Sequence, residues 1–262
     1  MAFTFGPIVI DRILQAVAED FNGNMLYRLT QLQDATLETT SETKDAVDAQ
    51  GTLIKRFYTN KAVTFTATNT LLDLDVLGVT TGKGKEVATT DKPIEMPRMI
   101  VVDNSSSTVT LPDTPVDGTL RVSVLNSNGS LGTAYEMGSA ASATAFLLAG
   151  TTLTLPTDDT ATQFLIKYDY MSTTGVKVSQ EADKFPGTIK LTLSVLCADP
   201  CSADTLRHAY IILPSFQVSP DTTLSLTTDS TFEFSGAAQV DYCSPNKELY
   251  HIVLSETDIE ED

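Results

Sequence analysis

The sequence has no tryptophan, two histidines and three cysteines. His208 and His251 are the only imidazoles, so any catalytic scheme that needs one has two candidates, which weighs against an ordinary hydrolase. Aromatic residues make up 7%, which disfavours a sugar-binding platform built of exposed rings. Bases are scarce: 17 Lys and Arg stand against 34 Asp and Glu, giving a net charge of −17 and a pI near 4.3. This excludes a protein that lives by broad contact with a phosphate backbone, because that affinity comes mostly from Lys and Arg. No apolar run approaches the roughly 20 residues of a membrane-spanning helix. The first seven residues have neither a basic region nor a signal-peptide layout. The expectation is a soluble, unsecreted, acidic protein with no membrane partner.

What the chain does have is β texture. Its 262 residues, 42% hydrophobic with mean hydropathy +0.00, suffice for one large or two small domains with a sizeable core. Charged residues are 19%, below the roughly 25% usual for soluble domains. The surface is made of Thr, Ser and Asn instead, which suits β-structure and contact with other subunits.

Residues 1–34 allow two readings. Ile10, Ile13, Leu14 and Val17 fall at i, i+3, i+4 and i+7, a helical face. Alternatively, Asn22-Gly23 turns a hairpin between a run ending near Val17 and one from Met25 to Leu32. The hairpin is favoured, since Asn-Gly between apolar runs is the stronger signal. A long β-excursion follows, with Leu37 and Thr39 alternating against Thr36, Glu38 and Thr40. It reaches a polar tip expected over Ser41–Gln50 and returns through Gly51 into residues 52–58 and 62–67. Such a tip is longer than the two to five residues a hairpin loop needs, so it is either a docking arm or a mobile loop. Asn69 reads as the N-cap of a short helix over Leu71–Leu77 that Gly78 closes.

From about 97 to 176 the runs shorten, with turn signals at Asp103-Asn104-Ser105, Pro112-Asp113, Asn128-Gly129 and Asp158-Asp159, the pattern of a small β-sandwich. Gly138–Gly150 reads as a loop or a brief helix. Longer strands return after 177: Ile189, Leu191, Leu193 and Val195 share one face, and further runs lie at 209–214, 223–227, 232–234 and 249–254. The terminal Glu256, Asp258, Glu260, Glu261 and Asp262 account for only five of the negative charges, so the acidity belongs to the folded body as well.

Chemistry is thinly represented. Gly78-Val79-Thr80-Thr81-Gly82-Lys83-Gly84 has three residues between its first glycines and Gly84 where Ser or Thr must reach magnesium, so it reads as a linker rather than a phosphate loop. No GxSxG, HExxH or GxGxxG occurs. Cys197, Cys201, Cys243 and His208 leave three readings open: a metal site, a disulfide between two of the thiols, or reduced thiols. Asp73/Asp75 and Asp158/Asp159 lack a DxDxDG context and read as solvated surface.

Three stretches together resemble the major tail-tube proteins of tailed bacteriophages: the opening hairpin with the long arm from Ala35 through Phe57; Phe65-Thr66-Ala67-Thr68-Asn69 running into the helix; and a closing block. That block holds Phe185–Leu193, Ile211-Ile212-Leu213-Pro214, Leu224–Ser230 and Glu248-Leu249-Tyr250. The likeness covers roughly residues 1–95 and 177–262 and lies in order and texture rather than in an invariant motif. It implies a mainly β fold: a β-sandwich or barrel tail-tube core at 1–96 and 177–262 with one short helix, and an inserted small immunoglobulin-like β-sandwich at 97–176. It also implies a structural role without catalysis, cofactor or metal. Six copies would close into a ring, rings would stack into a tube in the virion tail after assembly in the host cytoplasm, and DNA would pass as non-sticking cargo. Partners would be further copies, tape measure, terminator and a sheath. The arm, carrying Glu42, Lys44, Asp45, Asp48, Lys55 and Arg56, would reach the neighbouring ring. The competing expectations are a capsid-decoration or baseplate protein, a binding module at 97–176, and a Cys/His metal hydrolase.

Overall fold

The computed structural model describes residues 7–30, 32–200, 202–228, 231–242 and 245–259. In chain order these form β1 (Val9–Glu19), β2 (Met25–Leu29), β3 (Leu32–Val47), β4 (Leu53–Asn69), helix α1 (Leu74–Thr80), β5 (Lys85–Val87), β6 (Ile94–Asp103) and β7 (Thr108–Thr110). Then come β8 (Arg121–Leu125), β9 (Leu131–Met137), β10 (Ala145–Ala149), β11 (Thr152–Thr154), β12 (Gln163–Ser172) and β13 (Val176–Val178). The last four are β14 (Thr188–Asp199), β15 (Ser202–Val218), β16 (Phe232–Ala238) and β17 (His251–Ile259). The mainly β class with a single short helix, expected from the sequence, is what the described residues form. Contacts divide the chain into two compact units, Met1–Lys85 with Val178–Asp262, and Glu86–Lys177.

In the first unit one sheet runs in the order β2-β1-β14-β15-β16-β4-β3, with β17 also on β15. The opening hairpin is real, and the helical reading of Ile10–Val17 fails because those residues pair with β14 along their length. The sheet is rolled. Tyr27 on β2 and Phe234 on β16 lie four places apart in strand order, yet their rings meet edge-on at 5.9 Å. Phe65 on β4 packs at 6.2 Å from Phe216 and 6.3 Å from Phe234, completing an aromatic centre. Ile189, Leu191, Leu193 and Val195 of β14 point into the same core, as their alternation predicts, and Val76 brings α1 onto it.

Four boundaries differ from the sequence reading. The helix cap is Asp73, whose carboxylate accepts from the Asp75 N–H at 2.7 Å. Asn69 instead ends β4, buried, with its amide nitrogen donating to the Leu71 carbonyl at 2.6 Å. Gly78 lies inside the helix rather than after it, because its bare Cα permits the backbone of Gly84 and Lys85 to approach; a Cβ there would sit 2.8 Å from Lys85 N. The 138–150 stretch holds β10 at its end, paired with both β9 and β11, and among the described residues the 223–227 stretch makes a single bridge, Leu224 to Phe232, instead of a strand.

The second unit is a seven-stranded sheet, β6-β12-β8-β9-β10-β11-β7, wrapped around Val122, Tyr135, Phe146, Phe164, Ile166 and Tyr168. Its ends lie side by side, the Ala88 N–H donating to the Gly175 carbonyl at 2.8 Å. Asp158 locks a loop onto this core by accepting from the Thr160 hydroxyl and backbone and from the Tyr135 hydroxyl.

Three hairpins, Asp20–Asn24, Asp48–Thr52 and Asn126–Ser130, share one five-residue construction. In each, the first N–H bonds the fifth carbonyl, and the Gly N–H bonds the first carbonyl, at 2.9–3.1 Å. The Gly takes positive φ, 85°, 82° and 80° in turn, the left-handed position that a type I turn with a following bulge demands.

Two predictions follow from this packing. A Cβ at Gly236 would lie 2.4 Å from both the Gln217 carbonyl oxygen and the Phe216 ring, whereas one at Gly129 meets nothing within 4 Å. Gly236→Ala should therefore cost about 2–3 kcal/mol in thermal or denaturant unfolding, and Gly129→Ala about 1 kcal/mol from backbone strain alone. The hydrogen bonds to Asp158, from Thr160 first and Tyr135 next, hold its carboxyl down at about 2. A lowered folded-state pKa stabilises above the unfolded value of about 4 and is lost as pH falls through about 2. Melting followed between these pH values should show the 86–177 unit weakening, and Asp158→Ala should flatten that slope.

Candidate interaction arm

β3 and β4 pair from Leu32↔Asn69 at the core to Val47↔Leu53 at the far end. Phe65 and Ala67 bury one side of the core half, but from Glu38 to Ala62 every residue is exposed except the half-buried Ala46. Ten residues from Glu38 to Val47 at about 3.3 Å each carry the ribbon roughly 30 Å from the unit. The expected ten-residue loop at Ser41–Gln50 is thus mostly strand. Only Asp48–Thr52 turns, because polar residues with no core on either side satisfy the ladder without an apolar alternation.

The structure places all six predicted arm residues on this ribbon. Register divides them by face, since cross-strand partners project to the same side. Glu42, Lys44 and Lys55 share one face with Phe57 and Thr59, through the pairs Glu42↔Thr59, Lys44↔Phe57 and Ala46↔Lys55. Asp45 and Arg56 oppose one another on the other face, beside Thr43↔Tyr58. Arg56 grips the Asp45 carboxylate with two bonds, 2.8 and 2.9 Å, which holds that carboxyl below its usual range. Asp48 stands apart at the turn, accepting from the Gln50 and Thr52 N–H groups at 2.9 and 2.8 Å, which lowers its pKa as well. The Lys55 ammonium lies 5.2 Å from the Phe57 ring centre. Near the base of the ribbon, where the register slips between Thr40 and Glu42, Asn60 takes φ +50° and its amide donates to Glu42 at 2.7 Å.

The sequence reading missed the apolar residues of the arm. Leu53, Ile54, Phe57, Tyr58 and Val47 are all exposed, Ile54 by 69% and Tyr58 by 70%. Read along the sequence they resemble a buried strand; only the absence of anything against them makes them a surface. A two-stranded ribbon is marginal in water by itself, and apolar residues on both faces mark it as a contact element. Charge fits the same use: residues 40–61 hold four bases and three acids, in a unit that otherwise carries a large excess of acid.

The two described members of the soft-ligand set, Cys197 and His208, lie on opposite faces of the sheet. Leu196 pairs with His208 and Cys197 with Arg207, so Cys197 faces the core while His208 faces the other side of the sheet. Cys197 is a buried thiol near the Arg207 carbonyl at 3.4 Å, and burial raises its pKa. Cys201 and Cys243 lie outside the described residues. Among the described residues no group of three or more His, Cys, Asp or Glu is placed to hold a metal ion, and no helix is long and apolar enough to cross a membrane. The glycine-rich 78–84 segment is the end of α1 and its turn, the Gly84 N–H bonding the Gly78 carbonyl at 2.9 Å.

Because the Asp45–Arg56 pair and the Asp48 turn hold only the ribbon, Asp45→Ala and Asp48→Ala should leave the melting temperature unchanged. Amide hydrogen exchange over residues 42–58 should meanwhile quicken several-fold.

The chain belongs to the YomU/Tube protein family, whose sequence model matches residues 8–251. No curated protein matches it. The family agrees with the resemblance to phage tail-tube proteins.

Proposed function

We propose that this tube-family chain builds the wall of a phage tail tube in the virion. Six copies close into a ring, rings stack, and the β3–β4 arm of one copy bridges to a copy in the next ring. The observation that carries this is the arm itself: a ribbon reaching roughly 30 Å, exposed on both faces, with apolar side chains and no net negative charge. A monomer has no use for such an element, and a stack of like rings gives it a receiver.

Charge supports the conduit. The first unit holds twenty-four acids against twelve bases, and the second ten against five. Multiplied around a ring, such a wall repels phosphates and allows DNA to pass without sticking. The same charge drives copies apart, so assembly must rest on paired strand edges and apolar contacts. The 86–177 unit, whose ends lie together at Ala88 and Gly175, reads as an insertion that decorates the outside of the tube. Tape measure, terminator and a sheath are the further partners, and assembly belongs to the host cytoplasm.

Electron microscopy of the purified chain across a salt series tests the reading. Rings and hollow stacks should become more abundant between about 10 mM and about 500 mM salt, as self-repulsion is screened. The combined variant Ile54→Glu, Phe57→Glu, Tyr58→Glu should melt like the parent and form no stacks. Trimers or monomers alone, or stacking by that variant, would count against the tube and the arm respectively.

A further inference from the structure

The geometry points to the receiver of the arm: a cleft between β1, β3 and β17 of a second copy, which takes the Phe57 face of the ribbon. This rests on the reading of the arm as a contact between copies. The cleft has a volume of about 540 Å³. Its floor is core, with Leu37, Leu193 and Val195, and its lip is apolar and open, with Ile10 and Ile252 exposed by 57% and 56%. Three charged residues also line it. Asp11 and Arg12 neutralise each other at 2.8 Å. Asp34 has no such partner among the described residues. It sits where the β3–β4 register slips between Gln33 and Thr36, in a left-handed conformation with φ +49° that aspartate adopts more readily than most residues. The cleft therefore offers an apolar hole with one uncompensated negative charge at its edge.

The Phe57 face is its complement. The ring is half exposed, the Lys55 ammonium lies 5.2 Å from its centre, and Lys44 is its cross-strand partner. Glu42 lies on the same face but is held by the Asn60 amide at 2.7 Å, so an apolar ring flanked by two cations is left to suit an apolar hole beside a carboxylate. The opposite face suits it less, because Arg56 is already held by Asp45. The arm of the same copy cannot be the occupant. β3 runs unbroken from the cleft wall at Leu37 to Lys44 beside Phe57, which sets the ring about 20 Å from the cleft. The Asp34–lysine contact is also shorter than the screening length of about 8–10 Å, so salt relieves the repulsion between whole copies more than it weakens this pair.

The test is p-benzoylphenylalanine at position 57 of the full chain, assembled with heavy-isotope copies, irradiated and mapped by mass spectrometry. Light–heavy adducts are expected on the peptides holding residues 10–13, 32–37 or 250–252. Light–heavy adducts found only elsewhere would overturn the receiver and leave the arm as a contact. Assemblies without inter-copy adducts, or a chain that stays monomeric throughout, would overturn the arm and the receiver together. Charge exchange reads the pair separately. Asp34→Lys and Lys55→Glu should each weaken self-association roughly tenfold, and the double variant should recover most of that loss. A double variant no better than either single one overturns the pairing of Asp34 with Lys55.

Discussion

The ring packing of Tyr27, Phe65, Phe216 and Phe234, three contacts edge-on and one tilted, is what the larger unit depends on. Phe216, Phe234 and Phe65 stand on the neighbouring strands β15, β16 and β4, whereas Tyr27 comes from β2, four places from β16 in the sheet, so the contact of Tyr27 with Phe234 is the closure of the roll. Phe65 anchors the base of the arm, Phe216 forces glycine at position 236, and the same cluster receives α1 through Val76. The arm can leave the unit as a bare ribbon because its root is held in this centre. Were the rings lost, β3 and β4 would have neither a core at one end nor a neighbour at the other.

Electrostatics divides the molecule in a complementary way. Acids outnumber bases two to one in both units, and that excess is long-ranged and salt-dependent. On the arm, charge is balanced and local: one bidentate pair, one turn carboxylate, and two lysines around a ring. An acidic body keeps copies and nucleic acid at a distance, while a neutral arm with apolar residues is the part that can cross that distance.

Much of this was legible in the sequence, and the exceptions have physical causes. The turn chemistry was readable because it is local: Asn22-Gly23, Gly51 and Asn128-Gly129 sit where left-handed φ is needed. The alternation of β14 was readable because one of its faces is buried. The helix boundaries were misplaced because Asn69 is polar yet buried at a strand end, and because Gly78 serves close approach rather than termination. The long arm was read from its polarity, but the strand through Ser41–Val47 and the exposure of its apolar residues were not, since an exposed ribbon has no inside to write a period. The cleft beside Asp34 draws on β1, β3, β14, β15 and β17 together, and no window of sequence contains it.

The continuity of β4 from arm to core has a mechanical consequence. A pull on the tip along the ribbon runs down β4 into its seven-residue pairing with β16, from Val63↔Ala238 to Asn69↔Phe232. Those hydrogen bonds lie across the strands, so the load shears them together instead of peeling them one at a time. Peeling would ask each bond to fail in turn at low force; shearing asks all of them to fail at once. An element that reads as a flexible tentacle is, along its axis, a stiff tie rod bolted into the sheet.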